Sequence, residues 1–334
     1  MATTKTTKPK TDKERTAAVN ADFVLFCREC LKIQNKHGEL VPFALNGIQK
    51  AIVARVLYGD SFIVRRWMVL KPRQMGATTL GWAIAFWRTI KNTDHKALIM
   101  AHEEDLAVEI LDRIRLAYEQ LPDWYIKPKL AKDSAAALAF KGTRSAIYIG
   151  TAGSGVRKRG ASAKLGRTYQ TIYATELTDP AWERSTIVRL LQCAHELAVV
   201  ILDSTANGAQ GWYYKEWGKA KNGASNFLPL FFRWFEDKDS QREAGKDFKR
   251  TPEEEDLAKV FRLTNDQLAW RRWKLQDLTD EEFTELYPDS DIDCFLQSGS
   301  PCFHPASLQF FLDSEDHCRH WPTRCGSIQR VVPQ

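Results

Sequence analysis

The chain has 334 residues, 44% of them hydrophobic and 11 of them Trp, enough to fill a large core and so to exclude a fibrous or wholly disordered protein. Its formal net charge is +6 and its sequence pI about 8.8, a mild basic excess that suits a polyanionic partner without demanding one. No apolar run reaches membrane length, and the Thr/Lys-rich start lacks the apolar segment of a signal peptide, so the sequence reads as cytoplasmic with no membrane association.

In chain order, residues 1–18 carry Lys5, Lys8, Lys10, Lys13 and Arg15 against Asp12 and Glu14, with almost no apolar residue. This predicts a disordered, solvated tail. A helix is expected over Asp22 to Lys36. Cys27 and Cys30 form a C-x-x-C within it, but no second pair follows at zinc-ribbon distance, so they read as ordinary thiols. The apolar patch of PFALNGIQKAIVARVL then leads to Gln49 on a new helix. Trp67 to Leu70 have the bulk of a buried strand; a short polar loop follows, and Leu80, Trp82, Ala83, Ile84, Phe86 and Trp87 mark a helix that is apolar around most of its girth. After the turn KNTDH, Lys96 to Met100 read as a second strand, and Leu106, Ile110, Leu111, Ile114 and Leu116 give the next helix its period. Further strands are expected at Ala146 to Ile149, Thr171 to Ala174 and Leu197 to Leu202. The alternation of strand and helix implies a parallel sheet with right-handed crossovers.

The loop after Leu70, KPRQMGATT, resembles a phosphate-binding G-x-x-x-x-G-K-[ST] loop with two departures. Lys71 stands at the first Gly and Ala77 at the Lys, whereas Gly76, Thr78 and Thr79 fall where the pattern puts them. Backbone N–H groups at the helix start can still face a phosphate, Gly76 permits close approach, and the Thr78 hydroxyl can sit on Mg²⁺. The absent cation leaves Lys71 or, behind it, Arg73 to neutralise the phosphates. Alone, so degenerate a loop is more often an ordinary strand-to-helix turn.

The strand at Thr171, read as lying beside the phosphate-loop strand, ends in Thr175-Glu176. A carboxylate at this rim can polarise an attacking water, which suits Glu176; Thr175 reaches a metal only weakly or through water. A helix N-terminal carboxylate is the plainer reading of Glu176. The next strand ends in Ser204-Thr205-Ala206-Asn207-Gly208, on the rim where open α/β sheets bind ligands, though such residues also suit any loop. Arg157, Lys158 and Arg159 lie in GSGVRKRGASAKLGR, a basic loop able to hold DNA phosphates, to reach a neighbouring subunit's nucleotide, or simply to be solvated.

Taken together and in this order, Gln49, KPRQMGATT, KALIMAHEEDLA, RKRGAS, the strand ending at Glu176, DSTANGAQGWYY and FLPLFFRWFED resemble the ATPase domain of the large terminase subunit of tailed bacteriophages. LTNDQLAWRRWKL and YPDSDIDCFLQSGSPCF are similar to the stretch that leads that domain towards the family's nuclease. The resemblance implies a P-loop NTPase core of the RecA-like ASCE kind, α/β with a mainly parallel sheet, plus a small helical lid. It implies ATP and Mg²⁺ as cofactors, double-stranded DNA as the load, and a homo-oligomeric ring, a pentamer, on the portal protein of an empty capsid in the host cytoplasm, with a small terminase subunit as partner. Residue by residue, Gln49 matches the adenine-reading Gln, and Lys71, Arg73, Gln74, Gly76, Ala77, Thr78 and Thr79 match the phosphate loop. Glu176 matches the catalytic Glu, while Thr175 departs from the metal-shell Asp. Ser204, Thr205 and Asn207 match the coupling motif, and Arg159, with Arg157 behind it, matches the arginine finger. Arg73 is a second candidate for charge neutralisation during the reaction.

The implied divisions are a basic tail over 1–18, an ATPase core over 19–240, a helical lid over 241–300 and a linker over 301–334. The lid region is acidic, with Leu268, Trp270 and Trp273 on one helix, which argues against DNA binding there. Cys302, His304, His317, Cys318, His320 and Cys325 crowd the end, where four of them could make a tetrahedral zinc site, although their spacings match no standard pattern. Asp313, Glu315 and Asp316 lie on one short stretch and cannot converge as a two-metal nuclease needs, so the sequence reads as the ATPase part of a longer protein or a form ending before the nuclease. Ala77 and Thr175 also fit a catalytically impaired docking or DNA-binding module; a helicase lacks support in a second RecA-like half.

Overall fold

The computed structural model describes residues 11–35, 38–59, 65–152 and 165–295. Helix α1 spans Asp12–Ala21 and α2 spans Phe23–Cys30. Where composition predicts a disordered tail to Ala18, Thr11 and Glu14 form a capping box at the start of α1, and Thr16 and Val19 are buried. The Arg15 guanidinium stacks on Trp124 at 4.0 Å from the ring centroid. Capping and tertiary contact thus order a segment too polar to fold by itself. The helix expected over Asp22 to Lys36 starts where predicted, with Asp22 accepting from the Val24 and Leu25 amides, but ends at Cys30. Strand β1 (Lys32–Gln34) follows and pairs antiparallel with β2 (Leu40–Pro42). Cys27 and Cys30 are buried free thiols; burial pushes the Cys30 thiol up to about 12 and Cys27 higher still, so neither is a reactive thiolate.

Beyond α3 (Gly47–Val56) the chain builds one sheet from β3 (Arg66–Leu70), β4 (Lys96–Ala101), β5 (Leu130–Ser134), β6 (Ala137–Phe140), β7 (Ala146–Thr151), β8 (Tyr169–Thr175), β9 (Ala194–Ser204) and β10 (Leu228–Phe231). The helices α4 (Ala77–Lys91), α5 (Glu104–Glu119), α6 (Arg184–Gln192) and α7 (Gly211–Lys221) lie between them. The strand order is β10-β3-β9-β8-β4-β7-β6-β5. Pairing is parallel from β10 through to β7 and antiparallel only at β7-β6-β5. The expected parallel sheet is therefore present, with one correction: β9, not the Glu176 strand β8, is the inner neighbour of β3. Strands β5, β6 and β10 of this sheet escape sequence reading, β5 and β10 for a physical reason. Both are edge strands, β5 with most of its side chains exposed and β10 with Pro229 in its interior, which an edge tolerates.

The buried strands alternate their side chains between two apolar layers. Val199 and Ile201 of β9 pack with α3, α4 and α5, while Val200 and Leu202 pack with α6 and α7. Helix α4 approaches the sheet so closely that a Cβ at Gly81 would lie 2.3 Å from the Tyr173 ring. Three further helices, α8 (Pro252–Phe261), α9 (Asn265–Lys274) and α10 (Asp280–Leu286), gather around Trp234, Leu268, Trp270, Phe283 and Tyr287. The Trp234 and Trp270 rings stack there at 5.2 Å.

Candidate active site

Strand β3 delivers Lys71 and the loop that follows to the carboxyl rim of the sheet. The loop is held on every side. The Lys71 amide donates to Ser204 O at 3.1 Å and the Arg73 amide to Leu286 O of α10 at 3.0 Å. Asn46 Nδ2 donates to Met75 O at 3.3 Å and Gln49 Nε2 to Gly76 O at 2.9 Å. Gln49 is buried, and its Oε1 accepts the Asn46 amide at 2.9 Å in the capping box of α3. Both ends of the side chain are thus engaged on the loop and its neighbour, where the sequence suggests an adenine reader.

Gly76 has φ +70, and a Cβ there would stand 2.7 Å from Gln49 Nε2; conformation and space both demand glycine. Gly76 is the N-cap of α4 and supplies no side-chain cap, so the opening amides of the helix are available to an anion, as a phosphate cradle requires. Thr78 and Thr79 sit in this first turn, half-buried, while Ala77 is buried and presents only a methyl group. Arg73 and Gln74 are exposed and line a cavity of about 310 Å³ between the loop and the helical cluster, whose other wall includes Trp270, Trp273 and Lys274.

Behind the loop lies a buried charge cluster. Lys71 Nζ is 3.4 Å from Glu176 Oε1 and 3.5 Å from Asp203 Oδ2. Burial alone would lower the Lys71 pKa, but Asp203 and Glu176 outweigh it and hold it raised. Burial likewise pushes Glu176 upward, yet Lys71 prevails and keeps its carboxyl below the usual range. Asp203 is more deeply enclosed; burial, with repulsion from Glu176, outweighs Lys71 and holds its pKa raised. Glu176 adopts φ +55, a left-handed conformation costing about 1–3 kcal/mol in a non-glycine residue and retained only where the surroundings enforce it.

Those surroundings come from the end of β9. Thr205 Oγ1 donates to Glu176 Oε2 at 3.3 Å. Ser204 Oγ accepts the Thr178 amide at 3.1 Å, Thr178 Oγ1 donates to Thr205 O at 2.9 Å, and Asn207 Nδ2 reaches Thr178 O at 3.5 Å. The structure therefore brings Lys71, Glu176, Ser204, Thr205 and Asn207 into one network, with Gln49, Gly76 and Thr78 on the adjoining loop and helix. Thr175 is fully buried; its hydroxyl lies against Asp203 but completes no hydrogen bond among the described residues. Arg157 and Arg159 lie outside the described residues, as do the Cys and His residues beyond 301. Sequence reasoning missed Asp203 and Tyr173, whose hydroxyl donates to Asp203 Oδ1 at 3.0 Å. The available signal was an acidic residue ending an otherwise apolar buried strand, LAVVILD.

A parallel sheet flanked by helices, with an uncapped glycine-led helix after the inner strand and a carboxylate on the rim beside it, defines a P-loop NTPase of the RecA-like kind. The chain belongs to the large terminase subunits: residues 68–291 match the family described as terminase large subunit, T4likevirus-type, N-terminal. Among solved structures, the large terminase of bacteriophage HK97 is similar over 81% of this chain and 55% of its own, at 15% identity and a TM-score of 0.57; this likeness supports the fold. The large terminase of a thermophilic bacteriophage, solved in complex with ADP, is similar over 75% of this chain and 54% of its own, at 9% identity and 0.49. The ATPase domain of the large terminase of Thermus phage P74-26 is covered over 91% of its length by 72% of this chain, at 13% identity and 0.45. The chain spans about half the length of the first two of these large terminases. No curated protein matches it. Among the described residues, no helix is long and apolar enough to cross a membrane.

Proposed function

We propose that this chain hydrolyses ATP with Mg²⁺ as the motor part of a terminase large subunit, driving double-stranded DNA into an empty capsid. The observation that carries this reading is the Glu176 carboxylate, ionised, strained into place, and bonded at once to Lys71 of the phosphate loop and to Thr205 of β9's end. Here the opening amides of α4 and Arg73 receive the phosphates, and Lys71 supplies the positive charge that Ala77 cannot. The Thr78 hydroxyl, with Thr175 nearby, would hold Mg²⁺, which neutralises phosphate charge when bound. Glu176 orients a water and takes its proton. Because Thr205 bonds Glu176 directly, a change at that carboxylate is felt along Ser204 to Asn207, which suits a coupling role. The cavity between Arg73, Gln74, helix α9 and Tyr287 accommodates the rest of the nucleotide, with Gln49 fixing the loop below it.

In this reading residues 19–240 are the ATPase core and 241–300 its lid. The chain acts in the host cytoplasm as a pentameric ring on the portal protein, with a small terminase subunit as partner and Arg159 reaching a neighbour's nucleotide. A second reading, a docking module without turnover, rests on Ala77 and Thr175. Phosphate release measured with and without linear double-stranded DNA separates them: DNA-stimulated release is expected, whereas nucleotide binding without release favours the docking module.

A further inference from the structure

The metal-shell position raises a chemical difficulty. Mg²⁺ prefers oxygen ligands and is usually held in nucleotide sites by one or two carboxylates besides the phosphates, yet Thr175 offers only a hydroxyl. Asp203 lies directly opposite it. Thr175 and Asp203 are register partners across β8 and β9, and Asp203 is in turn the partner of Val69 on β3. Partners in parallel strands turn their side chains to the same face, here the face beneath α4, where Tyr173 and Val69 also pack. A small, mainly apolar cavity under the first turn of α4, walled by Ile52, Leu80, Ile84 and Ile201, is also lined by Tyr173 and Asp203, and the Tyr173 hydroxyl lies against Thr78. A carboxylate therefore stands one strand closer to the phosphate loop than Thr175, at the same level of the rim.

The polar atoms there are also incompletely satisfied. Asp203 is 1% exposed. Its Oδ1 accepts from Tyr173, but Oδ2 has Lys71 Nζ at 3.5 Å and no well-formed hydrogen bond among the described residues, and neither has Thr175 Oγ1. Buried oxygens without a well-formed hydrogen bond are costly unless something else serves them. Glu176 and Asp203 both pair with Lys71, so two carboxylates share one ammonium group. We propose that Asp203 supplies, from β9, the metal-shell carboxylate that this chain lacks at Thr175, so that the roles of the two rim positions are exchanged between adjacent strands.

This inference rests on the nucleotide site proposed above, and the test separates the two. Mn²⁺ in place of Mg²⁺ can be followed by the loss of its free electron paramagnetic resonance signal on titration into the full chain saturated with ADP, while ADP affinity is measured separately in chelator. Asp203→Asn should weaken Mn²⁺ uptake about tenfold or more while metal-free ADP affinity stays within about twofold, the range seen when a metal's supporting ligand is removed. The exchange variant Thr175→Asp/Asp203→Thr should recover most of the uptake. Unchanged Mn²⁺ uptake in Asp203→Asn, a failed recovery, or an equal loss of metal-free ADP affinity would overturn the proposal, the last reducing Asp203 to a counter-ion of Lys71. If Asp203→Asn does not fold, the unmodified chain labelled with ¹³C-aspartate should show a carbon coupling to bound Mn²⁺, and its absence would be equally decisive. Absence of ADP binding by the unmodified chain would instead defeat the nucleotide reading itself.

Discussion

Lys71 Nζ lies 3.4 Å from Glu176 Oε1, so the cation displaced to the head of the phosphate loop and the rim carboxylate form one unit. Replacing Lys71 should therefore injure more than binding. Lys71→Ala would leave Glu176 and Asp203 facing each other with nothing between them, and breaking a buried pair in this way costs about 3 kcal/mol. Urea denaturation should show that loss alongside weakened ATP affinity. Arg73 is exposed, and Arg73→Ala should leave stability within about 0.5 kcal/mol while weakening ATP binding less than Lys71→Ala does. The opposite ranking by titration calorimetry would transfer the phosphate role to Arg73.

Gln49 provides a second test, because its amide bonds Gly76 O and the Asn46 amide. If its work is to fix the loop, Gln49→Ala should weaken ATP and GTP to a similar degree, each by about tenfold for the loss of one or two buried hydrogen bonds. A loss confined to ATP would restore the adenine-reading role implied by the family resemblance.

Much of this was legible in the sequence, and the reason is periodicity. Leu70 into KPRQMGATT, and the apolar girth of the helix after it, announce strand, loop and helix without tertiary information. Thr205 and Glu176 could each be placed at a strand's end. Their mutual bond could not, because it depends on β9 lying beside β8, and sheet order is not written in local pattern. Asp203 was hidden for the same reason: its meaning comes from its register with Thr175. Composition misread α1, whose order derives from Trp124 and Ile126, more than a hundred residues away.

Two glycines should resist substitution for different reasons. Gly76→Ala meets both a left-handed φ and the Gln49 amide, and should lose nucleotide binding with about 1–2 kcal/mol of stability. Gly81→Ala drives a methyl into the Tyr173 ring and should cost about 2–3 kcal/mol through overpacking. Pairing Gly81→Ala with Tyr173→Leu should return part of that stability; if it does not, the ring contact is not the cause.

His95 should make stability fall in mild acid. Its Nε2 lies 2.9 Å from Thr171 Oγ1 in a buried site, and burial, with Arg88 and Lys91 nearby, lowers its pKa from 6.5 to about 4. The unfolded chain takes up this proton below pH 6.5, whereas the folded chain does so only near 4. The contribution is therefore complete above the upper value and lost progressively as pH falls to the lower, about 3 kcal/mol in all. Urea midpoints across this window should decline, and His95→Gln should flatten the decline by about one proton's worth of slope; an unchanged slope would place the effect elsewhere.

The most direct test of the motor reading compares ATP turnover by the unmodified chain and by Glu176→Gln, with ATP affinity measured in parallel. The amide keeps the shape of the side chain but cannot take up the proton of the attacking water. Turnover should fall by about a hundredfold or more while ATP still binds. Hydrolysis by Glu176→Gln within about tenfold of the unmodified chain would contradict the assignment of Glu176 and the mechanism built on it.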